Sequence, residues 1–405
     1  MFNKVFKMVT ALTLAGVLSV GGLTNVYAAS NVSKIVNKMG WSYYDKLEAT
    51  NENQIYSPYS IISAVSVAGN GGNADGKKKL IKKAGVSSLS DLNSRFKSFE
   101  STISKNYGKG RVFKNSNLVL VDKTAQASNN VNSSFKSTVK KSYNGTFKIY
   151  DIYGDLSGAK SYVKNYVKKA TNGFIPNYNS TISKSDVVDI LNAVYFKGDW
   201  QEPFSKAASA DFLTALDTQQ TNVDMMTNKS GIYGYYEDED FIGVSVPYKY
   251  KNNKAVVSMY IIVPTCTTCA KMAYRWQLKS YSEKEAFIKK IKTKSTREVS
   301  LTMPKFEVEK KYDLASLVKS YSGTKFTGML DGKTLNISSA SHQAKIKVDE
   351  LGTEAAAVTE LAFDATSVAD QAEIKRVTLN RPFIYVIRDE ATGTNLFVGT
   401  VTHIN

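Results

Sequence analysis

Apolar and polar positions follow two different patterns along the chain, and these patterns predict the order of helices and strands. In residues 31–47, apolar side chains recur every three or four positions, which predicts an amphipathic helix. The same spacing predicts helices over residues 59–68 and 162–170. From residue 204 onward, alternating or continuous apolar runs predict mainly strands, with one helical interruption at residues 279–294. This arrangement indicates an α+β fold with a helical N-terminal half.

One predicted strand stands out because it is apolar almost throughout. Residues 187–196 form a nearly continuous apolar run, which is typical of a strand in the middle of a covered sheet. Further strands are predicted at residues 111–121, 244–248, 256–263, 299–308, 344–348, 383–388 and 395–403. The chain contains no internal repeat and no low-complexity linker, so we expect one domain over residues 29–405.

A segment near the C-terminus alternates with a period of two but is a poor strand by composition. One parity is small or apolar and comprises Thr353, Ala355, Ala357, Thr359, Leu361, Phe363 and Ala365. The other parity carries Glu354, Glu360 and Asp364. Alternation predicts a half-buried strand, whereas three successive alanines have weak strand propensity. A long connection of this kind is a candidate conformational switch.

Several motifs in this chain resemble those of serpins, the serine protease inhibitor family. Glu350-Leu351-Gly352-Thr353-Glu354-Ala355-Ala356-Ala357 resembles the hinge of the serpin reactive loop, although Leu351 stands where many members carry a second Glu. The run from Leu191 to Trp200 resembles the family's central strand. Asn380-Arg381-Pro382-Phe383 and the run from Gly393 to Gly399 resemble its C-terminal signature. We therefore identify the chain as a member of this family, of the secreted bacterial type.

The resemblance implies a serpin fold, with a large, mainly antiparallel central sheet, further β-sheets and a mobile reactive loop at about residues 350–376. It implies a hinge made of Glu350, Gly352, Thr353, Glu354, Ala355, Ala356, Ala357 and Val358. It also places Trp200 at the breach of the sheet. The polar residues of the shutter, where the sheet opens, would be Ser57, Ser60, Asn192 and His342.

A hydrolase is the competing interpretation of the shutter residues. His342 with Ser57 or Ser60 would provide a base and a nucleophile, but the chain has no G-x-S-x-G elbow. Only two histidines are present, His342 and His403. We therefore expect a buried hydrogen-bonded latch at these positions and no enzymatic activity.

The family's loop length, counted from Glu350, places the cleaved bond between Thr366 and Ser367. Phe363, Ala365 and Ala369 remain alternatives for the residue before that bond, because long loops are heterogeneous. Small side chains here favour elastase-like or subtilisin-like proteases, and no Lys or Arg lies between Glu350 and Lys375. The resemblance thus implies a suicide-substrate inhibitor that traps serine proteases as acyl-enzymes. The alternative is a non-inhibitory serpin that acts as a carrier, a chaperone or a protease substrate.

The N-terminus carries the features of a secretory signal peptide. Residues 1–7 are short and basic, residues 9–23 are mainly apolar, and Val26-Tyr27-Ala28 is a small-residue cleavage site. We expect residues 1–28 to be removed and the protein to be extracellular or at the cell surface. No other stretch is long and apolar enough to cross a bilayer, so we expect that the protein is not integral to a membrane.

The chain is basic, with a formal net charge of +17, or +15 once Lys4 and Lys7 of the leader are subtracted. A basic surface favours weak binding to polyanions or cell-wall polymers, although scattered lysines and the short run Lys77–Lys83 also suit a solvated surface. Residues 71–78 match the nucleotide-binding phosphate-loop motif only in part, because Lys78 stands where that motif requires Ser or Thr. We expect the protein to be a monomer and to have no nucleic-acid partner.

The two cysteines, Cys266 and Cys269, are close in sequence and predict either a local disulfide or two free thiols. A zinc site would need two further ligands, and His342 and His403 are the only histidines that could join them. We therefore expect neither a metal nor a cofactor.

Overall fold

The computed structural model describes residues 20–47, 51–107, 111–123, 131–249, 255–268, 273–293, 296–337, 339–353 and 374–405. Its helices, numbered in chain order, are α1 Val20–Tyr44, α2 Pro58–Asn70, α3 Ala74–Ala84, α4 Leu89–Asn106, α5 Ser133–Ser142, α6 Leu156–Ala170, α7 Ala273–Leu278, α8 Tyr281–Thr293 and α9 Ala315–Ser322. Of the nine helices in the described ranges, six lie before residue 171, so the predicted helical N-terminal half is present.

The strands are also numbered in chain order. They are β1 Gln54–Tyr56, β2 Arg111–Asp122, β3 Gly145–Tyr150, β4 Val188–Asp199, β5 Ser205–Lys206, β6 Ala210–Leu213, β7 Gln219–Val223, β8 Met225–Glu237, β9 Phe241–Pro247, β10 Val257–Pro264, β11 Thr296–Pro304, β12 Phe306–Asp313, β13 Lys325–Phe326, β14 Leu335–Asn336, β15 Ser339–Asp349, β16 Gly352–Thr353, β17 Lys375–Thr378, β18 Phe383–Asp389 and β19 Thr394–Val401.

Two large sheets organise the described residues. A six-stranded sheet has the order β12-β15-β16-β4-β2-β3, and a nine-stranded sheet runs from β1 through β19, β18, β10, β9, β8 and β11 to β17, with β5 paired to β8. Most pairings in the six-stranded sheet are antiparallel, but β2 pairs with β3 and β15 with β4 in parallel. The predicted α+β class with a large, mainly antiparallel sheet is confirmed.

The middle of the six-stranded sheet is buried on both faces. β4 is buried along nearly its whole length, as its apolar sequence predicted. Helix α2 packs against one face of the sheet and is itself buried from Pro58 to Gly69. Pro58 stands at the first position of this helix, where the absent backbone N–H is not needed, and the Ser57 hydroxyl caps it by accepting from the backbone N–H of Ser60.

β4 and β15 touch directly along only part of their length. Their parallel pairing, here called the seam, joins the five residues Ser339–Gln343 of β15 to the five residues Asp189–Ala193 of β4. Beyond it, the two residues of β16 lie between the same two strands and pair with both of them. The sheet is therefore closed at one end and holds the beginning of an additional strand at the other.

The prediction of one continuous strand over residues 299–308 is wrong, because the structure has two strands there. β11 ends at Pro304, which has no backbone N–H for a ladder, and β12 begins at Phe306. At Lys305 the chain crosses from the nine-stranded to the six-stranded sheet, and the Lys305 backbone N–H donates to the carbonyl of Asp224.

Helix α1 begins earlier than the amphipathic pattern predicted. It runs from Val20 through the expected cleavage site at Ala28, so removal of residues 1–28 would leave a helix from Ala29 to Tyr44. The first fully buried side chains described in this helix are Val32 and Val36. The described packing of α1 therefore lies on the retained side of the expected cleavage site.

Candidate functional site

The chain turns sharply between β15 and β16, and three successive carbonyl groups of this turn accept hydrogen bonds from the segment that follows β4. The Trp200 indole N–H donates to the Asp349 carbonyl (2.9 Å). The backbone N–H groups of Trp200 and Phe204 donate to the carbonyls of Leu351 and Glu350, both at 2.8 Å. The end of β4 thus holds the start of the predicted hinge by backbone contacts that do not depend on hinge side chains.

Trp200 also positions the first buried side chain of the hinge, that of Thr353, through an aromatic neighbour. Its ring stacks on Tyr248, with centroids 4.5 Å apart and an interplanar angle of 12°. The Tyr248 hydroxyl lies 2.7 Å from the Thr353 hydroxyl, and both side chains are buried. Thr353 therefore faces the interior, which is the orientation that the alternating pattern assigned to its parity.

Gly352 is required by a close approach of two backbones. A Cβ at this position would lie 2.2 Å from the Gly198 carbonyl oxygen, and Gly352 has φ = 156°, which other residues rarely adopt. Gly198 is tightly packed in turn, because a Cβ there would meet the Tyr248 ring at 2.7 Å. Any side chain at Gly352 would push β16 away from β4.

An ion-pair network holds the outer side of the turn. The Lys305 ammonium lies 3.5 Å from a Glu350 carboxylate oxygen and 3.3 Å from an Asp224 carboxylate oxygen. All three side chains are partly exposed, so this network contributes about 1 kcal/mol or less to stability. It orients Glu350, the residue from which the loop length was counted.

The remaining loop residues lie outside the described part of the chain. These include the hinge positions Glu354, Ala355, Ala356, Ala357 and Val358, the bond between Thr366 and Ser367, and the alternatives Phe363, Ala365 and Ala369. The described ends of the predicted loop at 350–376 are strands, because Thr353 ends β16 and Lys375 begins β17 on the nine-stranded sheet. The assignment of the cleaved bond stays a prediction.

The four predicted shutter residues meet where helix α2 packs against the seam. Ser57, Ser60 and His342 are fully buried, and Asn192 is 1% exposed. The Ser57 backbone N–H donates to His342 Nε2 (3.1 Å), and His342 Nδ1 lies 3.3 Å from Asn192 Oδ1, which also accepts from the Ser60 hydroxyl. His342 and Asn192 are opposite each other across the seam, so the cluster links both strands to α2.

His342 is held as a neutral imidazole. Burial lowers its pKa to about 3. Because Nε2 accepts from a backbone N–H, Nδ1 carries the proton and donates to Asn192. Both ring nitrogens are thus engaged by groups other than a serine hydroxyl. This geometry lacks the contact between base and nucleophile that a serine hydrolase needs.

The polar cluster is larger than sequence reasoning predicted. Asn192 Nδ2 donates to the side-chain oxygens of Asn115 (2.7 Å) and Asn117 (3.0 Å), two residues of β2 that share one parity. These amides in turn donate to the Ser63 hydroxyl, and Asn115 also donates to Glu100. The available signal was two asparagines at alternate positions of a predicted strand, which indicates polar partners on one face of that strand.

The described residues contain no group of three potential metal ligands. Cys266 is disulfide-bonded, and Cys269 lies outside the described residues. Of the helices in the described ranges, none has the length and apolar character that a membrane span requires.

Comparisons with known proteins agree with this geometry. The chain matches the family described as serpin (serine protease inhibitor) over residues 34–404. An uncharacterized serpin-like protein of Thermococcus kodakarensis is 27% identical over 377 residues, covering 91% of this chain and 84% of that protein. The leukocyte elastase inhibitor of Sus scrofa is 28% identical over 377 residues, covering 88% of this chain and 96% of that protein.

A solved structure extends the agreement to the fold. Human glycosylated kallistatin superposes with a TM-score of 0.78 at 21% identity, covering 93% of this chain and 99% of that chain. At that identity the likeness concerns the fold alone. The family match covers more than nine-tenths of the sequence, so the chain belongs to the serpin family.

Proposed function

We propose that this protein is a suicide-substrate inhibitor of serine proteases and has no turnover chemistry of its own. The target protease cleaves the predicted loop between Thr366 and Ser367 and remains attached as an acyl-enzyme. The freed segment then enters the six-stranded sheet between β4 and β15. The attached protease is carried along and distorted before deacylation.

The observation that carries the proposal is the register of β16. Gly352 pairs with Asp199 and Thr353 with Gly198 on β4, while the same two residues pair with Asp349 and Val348 on β15. The loop therefore already begins as an antiparallel strand between the two strands that would have to separate. Beyond it, among the residues that the structure describes, β4 and β15 pair directly at the seam.

Continuation of both registers leads to one consistent arrangement. Each further loop residue steps back by one on both strands, so Thr359 would face Asn192 on β4 and His342 on β15. These two residues are the ones that face each other in the closed seam. The inserted segment would replace the seam residue for residue. The side chains at its inward-facing positions are small or apolar, and none of them is a proline or carries a charge, which supports insertion.

The target preference follows from the residues around the proposed bond. Ala365 and Thr366 suit proteases whose primary pockets accept small side chains, and curated relatives of this chain include leukocyte elastase inhibitors. We therefore propose an elastase-like or subtilisin-like target. Cleavage after Phe363, Ala365 or Ala369 remains the alternative to cleavage after Thr366.

We further propose that the protein is secreted and acts as a monomer outside the cell or at its surface. The family match begins at residue 34, after the expected cleavage site at Ala28, so removal of the leader would leave the matched region intact. The secreted, bacterial-type assignment rests on the leader sequence.

The test is incubation of the chain with pancreatic elastase or subtilisin, followed by denaturing electrophoresis. We expect an SDS-resistant adduct whose mass is the sum of the two proteins less the released C-terminal peptide, and we expect trypsin to give none at this loop. Mass spectrometry of the released C-terminal peptide identifies the cleaved bond. Fragments without an adduct would instead indicate the alternative, a non-inhibitory serpin that acts as a carrier, a chaperone or a plain substrate.

A groove between α4 and α5 favours the weak polyanion binding suggested by the basic charge. Its cavity has a volume of about 610 Å³ and is lined by Lys77, Lys97 and Lys141 together with serine, threonine and asparagine side chains, with no carboxylate in the lining. Cations and hydroxyl groups on the same surface suit a phosphate-bearing or sulfate-bearing cell-wall polymer.

Retention on a polyphosphate column measures this binding. We expect elution below physiological ionic strength, and we expect the double substitution Lys97→Gln and Lys141→Gln to reduce retention. A matched double substitution on α6, Lys160→Gln and Lys164→Gln, removes the same charge elsewhere. Equal losses in the two variants would contradict binding in the groove.

A further inference from the structure

At the end farther from β16, the seam contains a buried acid that is not one of the shutter residues. Asp189 is the first seam residue of β4 and is 3% exposed. It pairs with Ser339 of β15, and the Ser339 hydroxyl donates a hydrogen bond to its carboxylate. The closed contact between β4 and β15 therefore contains a carboxylate in the interior of the protein.

The groups that face Asp189 do not neutralise it. The segment after α6 contributes Tyr178, which is bonded to Ser341, and the buried acid Asp186, whose nearby charge is repulsive. Lys311 of β12 supplies an attractive charge, but its ammonium donates to the Asn179 carbonyl. Within the described residues, no ammonium or guanidinium group lies within ion-pair distance of Asp189.

We propose that Asp189 is a positioning residue for loop insertion, whose ionised carboxylate weakens the seam and sets how readily β4 and β15 separate at neutral pH. Opening the seam returns the carboxylate to water, so the charge favours the open state over the closed state. This inference rests on the proposed function, because it concerns the step in which the sheet opens.

The pH dependence has a definite sign. Burial raises the pKa of Asp189 to about 6, with Asp186 raising it further and the Ser339 hydrogen bond and Lys311 lowering it. The closed sheet therefore binds the proton more tightly than the open sheet does. The stabilisation of the closed sheet by this proton is complete below about pH 4 and is lost progressively as the pH rises through about 6.

His342 lies in the same seam and has the opposite effect. Burial lowers its pKa to about 3, so acidification below the ordinary histidine range favours the open state, in which the ring can be protonated. A wild-type profile alone would combine both groups. The ratio of wild type to an Asp189→Asn variant isolates Asp189, because His342 is present in both proteins.

The experiment measures the rate at which a fluorescent synthetic peptide with the sequence of residues 352–365 enters the sheet of the full-length protein. We expect the ratio of the wild-type rate to the Asp189→Asn rate to approach one below about pH 4. Between pH 5 and pH 7.5 we expect this ratio to rise about tenfold, with a midpoint near pH 6, as protonation linkage requires for this group. A ratio that does not change with pH, or a faster variant, overturns the proposal.

Two further variants sharpen the result. Asp389 of β18 is equally buried, and burial raises its pKa to about 6, but it lies in the nine-stranded sheet, where Thr392 donates to it. Asp389→Asn should give a ratio that is independent of pH. Ser339→Ala removes the hydrogen-bond donor to the Asp189 carboxylate and should move the midpoint upward; an unchanged midpoint counts against the proposal.

Hydrogen exchange of the seam amides at each pH gives a readout that needs neither peptide nor protease. Wild type should exchange about tenfold faster relative to Asp189→Asn at pH 7.5 than at pH 5, after correction for intrinsic exchange. A protein that shows this ratio but forms no protease adduct would disprove the proposed function and leave this inference standing. A protease adduct combined with a ratio that does not change with pH would disprove this inference and leave the proposed function standing.

Discussion

Cleavage of the loop at the proposed bond between Thr366 and Ser367 is expected to raise the melting temperature of the protein by about 20 °C or more. Insertion would add roughly ten ladder hydrogen bonds at a net ~1 kcal/mol each, in addition to apolar burial. At ~2 °C per kcal/mol for a chain of this size, the gain of about 10 kcal/mol gives the stated shift. Scanning calorimetry of intact and cleaved protein, after the cleaving protease is inactivated, measures it.

The control for this shift is a chain that is cleaved but does not insert. Cleaved Thr353→Arg protein should melt near the temperature of its uncleaved form, because its hinge cannot re-enter the sheet. Should cleaved wild-type protein melt at the same temperature as intact protein, the closed sheet stores no energy that the loop can release, and the inhibitory proposal fails.

Replacement of Thr353 by Arg is expected to convert the inhibitor into a substrate. Thr353 is 1% exposed, and its hydroxyl lies 2.7 Å from that of Tyr248. An arginine there would bury an unpaired charge at a cost of about 3–5 kcal/mol, so it would displace β16 from between β4 and β15 in the uncleaved protein, and insertion would have to overcome the same cost. Insertion would slow while cleavage continues, so the number of inhibitor molecules consumed per trapped protease should rise at least tenfold. Titration of elastase or subtilisin activity measures this stoichiometry.

Two matched substitutions accompany Thr353→Arg. Thr353→Ser keeps the hydroxyl and should retain near wild-type stoichiometry. Glu354→Arg introduces the same side chain at the neighbouring position, which the alternating pattern assigns to the outer face, and should have a much smaller effect. Equal losses from Thr353→Arg and Glu354→Arg would disprove the assigned orientation of the loop.

The sequence predicted best those features that depend on local patterns. The apolar run at residues 187–196 became the buried strand β4, and the parity of Thr353 agrees with its buried position. Helix α4 also carries a local signal, with Leu92, Phe96, Phe99 and Ile103 buried at helical spacing, although it was not among the predicted elements.

Contacts between distant strands could not be predicted from such patterns. The shutter residues were grouped through the family resemblance alone, because His342 and Asn192 meet only by virtue of the seam register. Asp189 was one acid within an apolar run, and nothing local indicated that it would face Ser339 across the sheet. Register depends on how two remote segments align, and a single sequence does not encode that directly.

The register of β16 also sets a minimum length for the segment released by cleavage. Continued on both strands, it brings Ala362 opposite Asp189 and Ser339, so residues 358 to 362 would face the entire seam. Cleavage after Phe363 would leave a single residue to reach beyond the seam, and cleavage after Ala369 would leave seven. The distance over which the trapped protease is carried would be the same in each case, while the length of the tether that joins it to the sheet would differ.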